Sequence, residues 1–131
     1  MQLVSFLTFM TGAGRSEKVA FANRGVLASD RGLTLTAQFW AEDASAHRVD
    51  AVDEPADGPA RIVAARTVAA DRPGLLTVEL VLPPLGRTGR HGLHLDVDGG
   101  RVTRHPIGVT VREAKDRIRR ARYKGRAASS T

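Results

Sequence analysis

The stretch Leu33-Thr34-Leu35-Thr36-Ala37-Gln38-Phe39-Trp40-Ala41 decides the fold class. Leu33, Leu35, Ala37 and Phe39 share one parity; Thr34, Thr36, Gln38 and Trp40 share the other. Successive side chains of a strand point to opposite faces, so this two-residue period predicts a half-buried β-strand. Trp40 falls on the polar parity beside Gln38. An exposed indole there makes an anchor for a partner protein, because aromatics concentrate binding energy at interfaces. The competing expectation is that a second sheet or the C-terminal segment covers it.

Outward from this strand, the pattern repeats. Residues 2 to 10 form an apolar run on both parities, which predicts a strand buried on both faces or at a subunit contact. The turn-rich Thr11-Gly12-Ala13-Gly14-Arg15-Ser16 follows, and Lys18 to Ala28 returns beside the run, with Gly25 as a bulge or bend. Glu42 to Pro59 is acidic and contains proline, and reads as a long loop around a short segment, Arg48 to Val52. Arg61 to Ala69 and Leu75 to Leu82 are two further strands, separated by the turn Asp71-Arg72-Pro73-Gly74. Leu93, Leu95 and Val97 alternate with His94, Asp96 and Asp98 up to Gly99-Gly100, read as a two-residue turn. The chain then returns through Val111. Val102 has the opposite parity to Ile107, Val109 and Val111, which predicts a bulge between Arg104 and Pro106. Nothing before residue 111 has a helical period. The expectation is an all-β, antiparallel sandwich of about seven to eight strands over residues 1–111, followed by a basic helical tail over 112–131.

Leu75 to Leu82, then Pro83-Pro84-Leu85-Gly86, then Gly92-Leu93-His94-Leu95-Asp96-Val97-Asp98-Gly99, resemble the closing strands of immunoglobulin-like sandwiches, small bacterial and phage proteins among them. The resemblance covers roughly residues 30 to 111 and implies a fold. It lacks the Cys and core Trp of antibody-type domains and implies no activity.

The chain has 131 residues, 20 Lys+Arg against 14 Asp+Glu, a net charge of +6 and no cysteine. That length suits one domain. The absence of cysteine excludes disulfides, thiolate zinc sites and thiol catalysis. Residues 1 to 111 hold 12 basic and 12 acidic side chains and are neutral. The whole +6 lies in 112–131, where Arg112, Lys115, Arg117, Arg119, Arg120, Arg122, Lys124 and Arg126 face only Glu113 and Asp116. There Val111, Ala114, Ile118 and Ala121 recur at helical spacing as a thin apolar stripe, and Glu113–Arg117 and Asp116–Arg120 are favourable helical pairs. The eight cations are candidate partner-binding residues for an acidic protein surface, with the acidic stretch 42 to 57 of a sister chain as one complement. Nucleic-acid phosphates are the alternative; Tyr123 is the only aromatic among the cations, so such binding would be non-specific. Ile118 alone is too little for membrane insertion.

No serine has a G-x-S-x-G context, and no phosphate-binding glycine motif is present. If the turn centres on Gly99-Gly100, His94 faces His105 and shares a face with Asp96. That set has the ligand types of a divalent-metal site, against which stands a solvated hairpin surface. The expectation is no metal and no cofactor. No Lys or Arg precedes the apolar run at 2 to 10, so it reads as a strand and not a leader. The expected setting is cytoplasmic, or an assembly made there. The expected role is a non-enzymatic structural or adaptor subunit that binds a protein partner or itself.

Overall fold

The computed structural model describes residues 1–12, 15–21 and 24–113, with side chains described for 1–8 and 25–113. Ten strands run in order: β1 (Gln2–Gly12), β2 (Arg15–Phe21), β3 (Arg24–Ala28), β4 (Gly32–Ala41), β5 (Ala46–Pro55), β6 (Arg61–Ala69), β7 (Gly74–Leu82), β8 (Gly89–Val97), β9 (Gly100–Arg101) and β10 (Ile107–Arg112). They form two sheets. The first has the order β2-β1-β4-β7, and the second β3-β10-β8-β5-β6 with β9 also on β8. All pairings are antiparallel except β3 with β10. The protein is all-β, and the described residues contain no helix.

Alternation makes the core. Leu33, Leu35, Ala37 and Phe39 of β4, with Val78, Leu80 and Leu82 of β7, form the inner face of the first sheet. Val49 and Ala51 of β5, Leu93 and Leu95 of β8, and Ile107, Val109 and Val111 of β10 come from the second. These residues make one buried cluster, so the sheets share a single core. Each Leu, Ile, Val or Phe side chain among them stabilises the fold by about 1.5–3 kcal/mol relative to exposure.

Four expectations need correction. Residues 18 to 28 are not one returning strand: β2 pairs with β1, and β3 joins the other sheet beside β10. The acidic stretch at 42 to 59 is not a loop around a short segment, because β5 is a ten-residue strand paired on both sides by β6 and β8. Its carboxylates are tolerated inside because bases meet them there.

The last hairpin turns at Asp98-Gly99, not Gly99-Gly100. Val97 pairs with Gly100, and both turn residues have positive φ, 51° and 84°. That geometry matches the right-handed twist of the flanking strands. Finally, Arg112 lies on β10 and not on a helix; the rest of the expected tail helix, from residue 114, falls outside the described residues. The expected bulge is present. Asp96 pairs with Arg101, but Leu93 pairs with Ile107, so the five residues 102 to 106 of the returning side stand against two, His94 and Leu95.

Candidate functional site

The outer face of the first sheet is built from the residues that alternation turns away from the core. β4 supplies Thr34, Thr36, Gln38 and Trp40; β7 supplies Leu75, Thr77, Glu79 and Val81; β1 adds Val4 and Leu7. Glu79 is the one charge among these ten side chains. Trp40 is 49% exposed and has Leu75, 58% exposed, directly opposite it on β7. Val81, 72% exposed, extends the same face. Trp40 is thus open among the described residues; the C-terminal segment, the other cover considered for it, lies outside them. The doubly apolar β1 likewise keeps Val4 and Leu7 exposed.

The second sheet also exposes apolar side chains, Val26 and Ile62, but its outer face carries a group of charges. Asp50 and Asp96 sit directly across from each other on β5 and β8, a repulsive pairing. Each is answered by an arginine: Arg48 Nε donates to Asp50 at 2.8 Å, and Arg101 Nε to Asp96 at 2.6 Å. Arg101 also donates to Glu54 at 3.1 Å. Those hydrogen bonds, Asp96 first, raise its already high pKa and keep it charged.

His94 lies within this group but has no metal-binding geometry. Its Nδ1 is 2.7 Å from Thr103 Oγ1, which also accepts the Leu95 amide at 3.4 Å. The other ring nitrogen, Nε2, faces Glu54 at 3.5 Å. Burial first, and the Arg101 charge second, hold His94 below the ordinary histidine value, against the pull of Glu54 and Asp96. The sequence pairing of His94 with His105 is wrong by the shifted turn. Thr103 takes the place opposite His94, and His105 is exposed in the bulge. Among the described residues no three His, Cys, Asp or Glu side chains are grouped to hold a metal ion.

A second polar group went unnoticed in the sequence. Asp53 and His91 are fully buried side chains, with His91 Nδ1 2.8 Å from Asp53 Oδ1. His91 Nε2 donates to the Arg87 carbonyl at 2.6 Å. Arg61 lies 3.4 Å from the other Asp53 oxygen and donates to the Leu85 carbonyl at 2.8 Å. The chemistry of this group is positional: it fastens the connection between β7 and β8 to β5. Its sequence signal was only two polar residues on an inward parity, Asp53 following Val49 and Ala51, and His91 preceding Leu93 and Leu95.

Of the cations read as partner-binding, Arg112 is described and exposed at the end of β10. Lys115, Arg117, Arg119, Arg120, Arg122, Lys124 and Arg126 lie outside the described residues. The acidic complement on a sister chain is much reduced, because Asp50, Asp53 and Glu54 are already engaged by Arg48, Arg61, His91 and Arg101. Among the described residues no helix is long and apolar enough to cross a membrane. Compared with protein-family models, curated proteins and solved structures, the chain matches none.

Proposed function

We propose that this chain is a non-enzymatic structural or adaptor subunit built on an immunoglobulin-like sandwich. It binds a protein partner, or further copies of itself, through the outer face of the first sheet. The observation that carries this reading is the half-exposed Trp40 with Leu75 opposite it, on a face where the outward side chains of β4 and β7 include one charge, Glu79. Charge depletion around an exposed aromatic is the composition of interface cores, and here it lies at the Trp40 end of the sheet. The second sheet points the other way, with its outer charges paired among themselves, a composition suited to solvent.

In this reading the basic segment that follows β10 docks its arginines on an acidic surface of the partner. The engaged carboxylates of β5 support a partner other than the chain's own acidic stretch. The rival role is a phosphate clamp for nucleic acid, favoured by the fact that the whole +6 sits in 112–131.

Pull-down with the full-length chain and its Trp40→Ala variant tests the proposal. Loss of a partner or of self-association, with an unchanged melting temperature, is the expected result. A strictly monomeric protein that retains nothing overturns it, and a collapsed melting temperature makes Trp40 a core residue instead.

A further inference from the structure

We propose that β7 is a self-pairing edge: two copies of the chain join antiparallel β7 strands about a two-fold axis at Val78 and continue the first sheet from one subunit into the next. This rests on the reading that the chain assembles, and names a second copy as the occupant.

β7 is the end strand of its sheet, with β4 on one side only. Its register with β4 is unbroken from Gly74 to Leu82, and it contains no Pro, no Lys and no bulge. Those are among the devices by which proteins blunt open edges; of the others, β7 has one charge, Glu79, and the Arg66 side chain of β6 at its edge. The other edges of known side-chain content are blunted. β6 carries Arg61 and Arg66 and a register shift against Ala51 and Val52, and β3 is five residues long.

The Glu79 carbonyl accepts Arg66 and so points away from β4. Alternation then places the amides and carbonyls of Leu75, Thr77, Glu79 and Val81 on the open edge. Arg66 is exposed and takes one lone pair of that carbonyl at 3.3 Å, which leaves the other for a strand neighbour.

The sequence Leu75-Leu76-Thr77-Val78-Glu79-Leu80-Val81 has the same polarity pattern in both directions. A two-fold at Val78 pairs Leu75 with Val81, Leu76 with Leu80 and Thr77 with Glu79 of the other copy. The two most exposed apolar side chains of the strand thereby cover each other. The single carboxylate meets a threonine and not its own copy. All four outward residues then sit in hydrogen-bonded positions, about eight main-chain bonds in total. An isologous contact needs such self-complementarity.

The test is sedimentation equilibrium of the full chain up to millimolar protein, in salt high enough to suppress the tail, compared with Thr77→Pro. Proline is tolerated on an edge where the N–H faces solvent, so the variant keeps its fold and loses the outward donor. The expected result is a dimer for the native chain and a monomer for Thr77→Pro with an unchanged far-ultraviolet dichroism spectrum. A native chain that stays monomeric overturns self-pairing, while the partner reading still stands on the Trp40→Ala pull-down. A Thr77→Pro chain that remains dimeric overturns the β7 contact and leaves self-assembly through another surface. Should that variant fail to fold, amide exchange of the native chain decides. Protection of Leu75, Thr77, Glu79 and Val81 that rises with concentration supports the pair, and open-edge exchange at every concentration overturns it.

Discussion

Replacing Asp53 by Ala leaves His91 in the interior with Nδ1 facing no acceptor and Arg61 without its carboxylate. Breaking a buried pair from one side costs about 3–5 kcal/mol, and urea unfolding of Asp53→Ala should show a loss of that size. A loss below about 1 kcal/mol would mean that the group is not a fastening. His94 makes a different prediction. Its folded value is depressed, so the unfolded chain takes up a proton that the folded chain resists. Stability is full above the ordinary value of 6.5, falls as pH drops from there toward the depressed value, and is constant below it. The His94→Gln chain should lose that slope in a pH series of melting temperatures; an unaltered slope places the titration elsewhere. Neither role was legible. Asp53 meets Arg61 eight residues on and His91 thirty-eight residues on, and Thr103 reaches His94 only because the bulge turns it there.

At the scale of the element, β4 was readable because every second residue is apolar and nothing interrupts it. β5 was not, because His47, Arg48, Asp50, Asp53 and Glu54 give it the composition of a loop. Its burial is decided by partners on other strands, which a window of sequence does not contain. The last hairpin was found with its turn one residue out of place. Asp98 takes the positive φ because its carboxylate is held, by His47 Nδ1 at 2.7 Å and by the Arg48 amide at 2.9 Å. The His47 hydrogen bond, then that amide, lower its pKa. Asp98→Ala puts a residue without that anchor in left-handed backbone and should lower the melting temperature. Asp98→Asn keeps the backbone tolerance and should cost less. Equal losses in thermal unfolding would contradict a backbone cause. Phe39→Ala, on the buried face of the element that was legible, should cost about 3–5 kcal/mol, read in the same way. A smaller loss would mean the two sheets are less closely packed there than their burial implies.

For the whole molecule, the separation of surfaces is the main result. One sheet turns paired charges outward beside Val26 and Ile62, and β4 and β7 of the other turn out Trp40, Leu75 and Val81 with Glu79 as their one outward charge. The neutrality of residues 1–111 could be counted in the sequence, but not how it is distributed. The carboxylates of β5 looked available to a basic segment, and they are largely spent on neighbours. The face account and the phosphate-clamp account therefore differ in what the isolated protein does. The most direct test is the mass in solution of the full-length chain, alone and with a short nucleic-acid duplex across a salt series. The account predicts a defined assembly that forms without the duplex and loses mass in Trp40→Ala or Thr77→Pro. A monomer that gains mass only with the duplex, with an affinity that falls steeply as salt rises, would contradict it.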